Sequence, residues 1–141
     1  TLAKWLGYHV ILSDDRPELC TPEACPGADQ YVPCALENLL THIETTDNTR
    51  FVLTTRNADV DIKGLPSILA SKASYVGVIG SGKRKKALLE GLAKQDIPAG
   101  VLSKIHSPIG LEIDAETPQE IALSILAEVL QFSAQSKIEK S

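Results

Sequence analysis

Short runs of apolar and β-branched residues alternate along this chain with stretches in which apolar residues recur every three or four positions. The runs predict strands at His9–Ser13, Arg50–Thr55 and Ser74–Gly80, and Gln30–Pro33 is a short strand or an extended link. Strands that alternate with helices are typical of β-α-β units around a parallel sheet. We therefore predict an α/β fold with a mostly parallel sheet and flanking helices.

The helical spacing predicts helices at Cys34–Ile43, Leu65–Ser71 and Lys83–Lys94. A further helix begins after Thr117, because a Thr N-cap, Pro at the first helical position and Glu120 three residues after the cap form a capping box. After Phe132 the sequence becomes polar. We therefore predict one Rossmann-like domain over residues 1–132, with a frayed polar tail over residues 133–141.

The first ten residues resemble the end of a crossover helix, with Gly7 as its C-cap. In a dinucleotide-binding fold, an acidic residue at the end of the second strand follows a glycine-rich turn by about 20 residues. If Asp14 or Asp15 is that acid, the first strand and its glycine turn lie upstream of residue 1. The domain is then N-terminally incomplete, and a preceding segment or an intermolecular contact covers the gap; the alternative is a fold that begins here.

The composition and charge of the chain argue against nucleic-acid-binding and membrane proteins. The 141-residue chain carries a net charge of −4, which argues against a nucleic-acid binder that works through overall charge. No apolar run approaches the roughly 18 to 20 residues of a membrane span, and no signal peptide is recognisable. We expect a cytoplasmic protein that contacts neither membrane nor nucleic acid.

Three cysteines, Cys20, Cys25 and Cys34, lie close together in the first quarter of the chain. Their odd number and the missing export signal favour reduced thiols. Neither His9 nor His42 stands at a spacing that metal sites use. We expect no metal site.

The segment from Gly80 to Arg84 carries the most distinctive local chemistry. It resembles a phosphate-binding loop, but Arg84 stands where an ATPase needs Ser or Thr to hold magnesium. Glycines between a strand and a helix let backbone N–H groups approach an anion, and the bases Lys83 and Arg84 add charge. We predict that Gly80, Ser81, Gly82, Lys83 and Arg84 bind a phosphate; the alternative is a plain turn with solvated lysines.

In a parallel sheet, the carboxyl ends of two other predicted strands lie at the same edge as this glycine turn. Asp14 suits ribose hydroxyls and Arg16 a phosphate or a base, although the same residues also form an ordinary turn. Thr54 and Thr55 end another strand and supply hydroxyls. His106 is a candidate acid or base, but no catalytic constellation accompanies it, so we predict no catalytic residue.

A family resemblance covers nearly the whole chain. The segment HSPIGLEIDAETPQEIALSILAEV (106–129) closely resembles the end of the XdhC/CoxI family, and YVGVIGSGKRK (75–85) and VILSDDR (10–16) resemble two earlier family segments. Three positions depart from the family pattern. Gly82 replaces a basic residue, Asp114 replaces a glycine, and Arg56 stands near a family histidine.

The resemblance favours a cofactor-binding accessory maturation factor over an enzyme. Members of this family bind the molybdenum cofactor, support its sulfuration and deliver it to a xanthine dehydrogenase-type molybdenum hydroxylase apoenzyme. A sulfurtransferase and a second copy of the chain are further expected partners. The alternatives are an NAD(P)-dependent oxidoreductase or nucleotide-binding regulatory domain, and a ligand-free subunit-interaction domain.

Overall fold

A computed structural model describes residues 1–140 and contains five short strands, all paired in parallel. One sheet joins β1 and β2, with Ile11 opposite Gln30. The other has the order β3-β4-β5, with Arg50 opposite Tyr75 and Val76 opposite Ile105. The strands are β1 (Ile11–Asp14), β2 (Gln30–Pro33), β3 (Arg50–Leu53), β4 (Tyr75–Val78) and β5 (Ile105–His106).

Helices lie before, between and after these strands. They are α1 (Leu2–Trp5), α2 (Ala58–Leu69), α3 (Gly82–Ala93), α4 (Ala99–Leu102) and α5 (Pro118–Lys140), and two 3-10 turns cover Pro17–Leu19 and Leu36–Thr41. The predicted α/β class with a parallel sheet is confirmed. The sequence pattern missed α4 and β5, because four and two residues are too short to show a periodicity. Within residues 1–140, every helix is too short or too polar to span a bilayer.

The core lies where β4 meets α2 and α3. All four residues of β4 are buried, as expected for a strand with packed elements on both faces. Leu65 and Ile68 of α2 are fully buried, and so are Leu88 and Leu92 of α3. Burying such a side chain contributes about 1.5 to 3 kcal/mol.

Helix α2 is longer than the sequence predicted, since it begins at Ala58 and not at Leu65. Asn57 supplies the N-cap, and its side-chain oxygen accepts a hydrogen bond from the amide of Val60 at 3.1 Å. The Asp residues of the first turn obscured the apolar spacing, although acids there suit the positive end of a helix.

Pro66 lies inside α2 without ending it. A proline removes the hydrogen bond to the carbonyl four residues earlier, here that of Ile62. The side-chain amide of Gln95 donates to this carbonyl at 3.3 Å, so the acceptor keeps a partner. Helix α2 thus runs from Ala58 through Pro66 to Leu69, and the prediction that it starts at Leu65 was wrong.

The helix predicted at Cys34–Ile43 is also wrong. The structure has only the 3-10 turn, because Ala35 is extended and its carbonyl accepts from the amide of Asn38. The apolar side chains still face the core: Leu36 fills the space above Gly64, where a Cβ atom would come within 2.3 Å of its Cγ.

The capping box at Thr117 is confirmed. Its hydroxyl accepts from the amide of Glu120 at 3.1 Å, and the Glu120 carboxylate accepts from the Thr117 amide at 2.9 Å. The amide of Thr117, and then that of Glu116, donate to this carboxylate and hold the pKa of Glu120 below its ordinary value. Helix α5 then continues to Lys140, where we predicted a frayed tail. Ser133, in that segment, accepts a hydrogen bond from Arg50 of β3.

The two sheets do not join. Among residues 1–140, β1 pairs with β2 alone, and β3 pairs with β4 alone. The edges of β1 and β3 that face away from these partners border a common space. Helix α1 lies where the first ten residues predicted a helix, and it leads into β1. Gly7, predicted as its C-cap, follows α1 with a φ of +88°.

Candidate functional site

Strands β1, β3 and β4 end at one side of the molecule, which we call the carboxyl edge; it comprises residues 14–16, 54–56 and 80–84. Open parallel α/β sheets bind ligands outside the carboxyl ends of their strands. All nine residues that the sequence predicts as ligand contacts belong to this edge. Asp15, which is not among them, belongs to it as well.

Asp14 ends β1, and the local turn already engages its carboxylate. Oδ1 accepts from the backbone amide and from Nε of Arg16, and Oδ2 accepts from Nη2, all at 2.9 Å. These bonds, chiefly the side-chain bond from Arg16, lower the pKa of Asp14, and they raise the pKa of Arg16. The turn interpretation of Asp14 and Arg16 therefore describes the structure, and a ribose would compete with Arg16 for the carboxylate.

Asp15 and Arg56 connect the two sheets. The guanidinium of Arg56, which follows β3, donates to both carboxylate oxygens of Asp15, which follows β1, at 2.8 and 2.7 Å. The hydrogen bond from Arg56 lowers the pKa of Asp15 to about 2. This ion pair crosses the mouth of the space between β1 and β3, at the position where Arg56 departs from the family pattern.

The two threonines after β3 have different surroundings. Thr54 is exposed and lines the space between the sheets. Thr55 is turned inward, and its hydroxyl contacts the buried carboxylate of Asp61 and the guanidinium of Arg84. The Thr55 hydroxyl is therefore engaged by protein groups, whereas Thr54 is exposed beside the space between the sheets.

The glycine turn joins β4 to α3. Gly80 has a φ of +142°, a conformation that a side chain disfavours, and a Cβ atom there would come within 2.6 Å of the Arg84 side chain. Ser81 is the N-cap of α3, and Gly82 is its first residue, with open space around it. The first amides of a helix lack intrahelical acceptors, so they point outward with the positive end of the helix dipole.

The side chain of Arg84 points into the protein, whereas those of its neighbours Lys83 and Lys85 are exposed. Its Nη2 donates to Asp61 at 2.7 Å and to the Thr55 carbonyl at 3.1 Å, and its side chain is 19% exposed. The Nε atom is buried without a hydrogen-bond partner. Arg84 therefore holds α3 to α2 and to the end of β3, whereas Lys83 remains exposed at the glycine turn.

The carboxyl edge is thus a row of three ion pairs. These join Arg16 to Asp14, Arg56 to Asp15 and Arg84 to Asp61. Each guanidinium is neutralised by a carboxylate, so the positive charge available to an anion comes from Lys83 and the helix N-terminus. This arrangement suits one phosphate at the glycine turn.

Sequence reasoning missed the roles of two acids, one buried and one partly buried. Asp61 is fully buried in α2, but in the sequence it does not differ from Asp59, the other acid in the first turn of this helix. Glu128 is partly buried in α5, and its carboxylate accepts from the Tyr75 hydroxyl at 2.6 Å and from the Gly110 amide at 3.1 Å. Burial, and then this bond, raise the pKa of Tyr75.

His106 belongs to the same structural cluster. Its ring stacks on Tyr75 with centroids 4.5 Å apart, and its Nδ1 lies 3.8 Å from Glu128. It lies on β5, away from the carboxyl edge. The three cysteines are free thiols, and Cys20 is buried while Cys25 is exposed. No three potential metal ligands cluster among residues 1–140.

The parallel sheets, the flanking helices and the polar carboxyl edge define a Rossmann-type domain. The family model described as the XdhC Rossmann domain matches residues 1–129. The chain therefore belongs to the XdhC family, as its sequence motifs indicated.

Individual relatives agree with this assignment. A Bacillus subtilis protein, named as a probable xanthine dehydrogenase subunit, is 34% identical over 130 residues, which are 92% of this chain and 37% of that protein. The uncharacterized protein YqeB of Escherichia coli is 30% identical over 131 residues, 92% of this chain and 24% of that one. A crystal structure described as a xanthine dehydrogenase from Bacillus halodurans aligns with a TM-score of 0.84 and 28% identity. It covers 99% of this chain, which spans 41% of it.

Proposed function

We propose that this domain is the cofactor-handling part of an accessory maturation factor for a xanthine dehydrogenase-type molybdenum hydroxylase. The domain holds the molybdenum cofactor as cargo at its carboxyl edge, supports its sulfuration with a sulfurtransferase, and passes it to the apoenzyme. The observation that carries the proposal is the XdhC match over residues 1–129. The name of the Bacillus subtilis relative supports a link to xanthine dehydrogenase.

The residues at the glycine turn fit the phosphate of such a cargo. The N-terminus of α3 offers backbone amides, Gly82 leaves open space beside them, and Lys83 adds an exposed ammonium group. A phosphate at a helix N-terminus needs this combination of N–H donors and positive charge. Thr54 is positioned to contact the remainder of a ligand from β3.

The same geometry disfavours a phosphoryl-transfer enzyme. Arg84 stands where a phosphate-binding loop of an ATPase carries the hydroxyl that holds magnesium, and its guanidinium is paired with Asp61. The carboxylates of Asp14 and Asp15 are likewise paired. The edge therefore supports binding and release of cargo.

A nicotinamide dinucleotide is the second candidate ligand. It is favoured by Asp14, an acid at the end of a parallel strand, which is where dinucleotide-binding domains hold a ribose. Against it, Arg16 occupies both oxygens of that carboxylate. A dinucleotide must displace Arg16, whereas a ligand held at the glycine turn leaves the pair intact.

The test measures binding of molybdopterin and, separately, of NADH to the full-length protein by calorimetry. We expect molybdopterin to bind, and Lys83→Ala to weaken it about tenfold or more, as loss of a charge-assisted hydrogen bond predicts. Lys86→Ala, in the same helix and also exposed, is the matched control and should bind normally. Binding of NADH without molybdopterin would overturn the proposal in favour of the second candidate.

A further inference from the structure

A shallow groove lies between α3 on one side and α4 with β5 on the other; we call it the α3–α4 groove. It has a volume of about 660 Å³, and apolar side chains form most of its lining. Leu89 and Ala93 are four residues apart, so they lie on one face of α3, and Leu102 and Ile105 line the other side. Ala93 is exposed, and the other three side chains are only partly buried. The groove therefore presents apolar surface to solvent.

Lysines without ion-pair partners surround this apolar surface. Lys85 lines the groove, and Lys86, Lys94 and Lys104 are each next in the chain to a residue that lines it. All four are exposed, and within residues 1–140 none of them takes part in an ion pair. Three lysines elsewhere in the molecule each contact a carboxylate. Of the residues that line the groove, only Glu90 is acidic, so its border is basic.

The apolar lining and the basic border together indicate the kind of partner. Residues 83–104 contain six bases and two acids, in a chain whose net charge is −4, so this face attracts a negatively charged molecule. A nucleic acid would use the lysines through its phosphates but would leave the apolar lining without a partner. An acidic amphipathic helix uses both, because its apolar residues recur every three or four positions and its acids flank them.

We infer that the α3–α4 groove is the docking site for an acidic amphipathic helix of the client apoenzyme; the identity of this partner rests on the proposed function. The groove runs along the same helix that carries the glycine turn at its N-terminus. Leu89 is seven residues from Gly82, which is about 10 Å along the axis of α3. A client docked in the groove therefore lies close to the exposed Lys83 and to the cargo bound there, which suits direct transfer.

A second copy of this chain is a poorer occupant of the groove. Its longest helix, α5, exposes Leu123 and Leu130, but two of the three acids of this helix are engaged within their own chain. Glu120 accepts from the amide of Thr117, and Glu128 accepts from the Tyr75 hydroxyl. Helix α5 therefore offers apolar residues without the free carboxylates that the lysines require.

The experiment measures binding of the client apoenzyme to the full-length protein by surface plasmon resonance. The charge variant is Lys94→Glu/Lys104→Glu, and the groove variant is Ala93→Gln, which fills the groove without changing the charge. The matched control, Lys72→Glu/Lys137→Glu, makes the same change of net charge. Both of its lysines are exposed, lack an ion pair within residues 1–140 and lie outside the groove lining. Binding of molybdopterin is measured for each protein in parallel.

We expect the charge variant and the groove variant each to weaken apoenzyme binding about tenfold or more, and the control to stay within about twofold. Binding to the unmodified protein should weaken as salt is added, and the charge variant should lose most of this dependence. Molybdopterin binding should not change. Lys94 is twelve residues from Gly82, about 18 Å along α3, and Lys104 precedes Ile105, which pairs with Val76 in the first half of β4.

Three results would overturn the inference. The first is apoenzyme binding that the charge and groove variants weaken no more than the control does. The second is binding of molybdopterin without any binding of the apoenzyme. The third is a DNA duplex of about 20 base pairs that binds as tightly as the apoenzyme and depends on the same lysines, because the groove then serves a nucleic acid.

Failure of the proposed function has a different signature. In that case molybdopterin does not bind even to the unmodified protein. Apoenzyme binding by the charge and groove variants then still decides whether the α3–α4 groove is a docking site.

Discussion

The guanidinium of Arg84 lies 2.7 Å from the carboxylate of Asp61, which is fully buried. Because of this contact, the two basic residues that follow the glycine turn, Lys83 and Arg84, have different surroundings. Arg84 ties α3 to α2 and to Thr55 at the end of β3, whereas Lys83 stays exposed. A structural base and a candidate ligand-binding base are therefore neighbours in sequence, and single substitutions separate their roles.

Removal of Asp61 should be strongly destabilising. The Asp61→Asn variant leaves the partly buried guanidinium of Arg84 without its counter-charge, and breaking such a pair costs about 3–5 kcal/mol. Urea unfolding followed by circular dichroism measures the loss. Lys83→Ala is the control and should stay within about 0.5 kcal/mol of the unmodified chain. Equal stabilities for the two variants would show that the pair does not hold the fold.

The ion pair of Asp15 and Arg56 predicts a local pH dependence. Because the folded pKa of Asp15 is about 2 and its ordinary value is 3.8, the pair's contribution is present above pH 3.8. It is lost as the pH falls through about 2. Carboxyl carbon NMR should follow Asp15 to this low value, and Arg56→Gln should return it towards 3.8. Salt should weaken the effect, since the pair is on the surface; an unchanged pKa in the variant would refute the contact.

The sequence predicted those features that depend on residues close together in the chain. The capping box at Thr117 and the turn at Gly80 depend on residues within four positions of each other, so local pattern located both. Strands β1, β3 and β4 were located for the same reason, although each was predicted one to three residues too long, and β2 was predicted with its observed bounds. Membership of the family came from motif similarity along the chain, which does not require the fold.

The features that the sequence did not predict depend on contacts between residues that are far apart in the chain. Asp61 and Arg84 are 23 residues apart, and Tyr75 and Glu128 are 53 apart. Sequence pattern assigns such acids to solvent, because it contains no information on which buried base or hydroxyl will face them. The inward turn of Arg84, which withdraws it from the predicted phosphate site, follows from the position of Asp61 and was inaccessible for the same reason.

The hydroxyl of Tyr75 should stabilise the packing of α5 on the sheet. Tyr75→Phe keeps the ring but removes the bond to Glu128, which retains the Gly110 amide, so we expect a loss of about 1–3 kcal/mol. Tyr31→Phe, where the hydroxyl is bonded to a loop carbonyl, is the control with a smaller loss. Denaturant unfolding measures both.

The raised pKa of Tyr75 adds a test at alkaline pH. The folded state keeps Tyr75 neutral while the unfolded chain ionises near pH 10, so its contribution is full below pH 10 and declines above it. The unmodified chain should therefore lose more stability than Tyr75→Phe between about pH 8 and about pH 11. Parallel pH profiles for the two proteins would contradict the burial of this hydroxyl.

Two helical glycines should respond in opposite directions to the same substitution. In α2, a Cβ atom on Gly64 would come within 2.3 Å of Leu36 Cγ and 2.7 Å of its Cβ, atoms close to the backbone that cannot easily move. Gly64→Ala should therefore cost about 1–3 kcal/mol through overpacking. In α4, a Cβ on Gly100 meets nothing within 4 Å, so Gly100→Ala should stabilise by about 0.4–1 kcal/mol. Thermal unfolding of both variants checks the signs, and a neutral Gly64→Ala would show that the Leu36 turn is not fixed against α2.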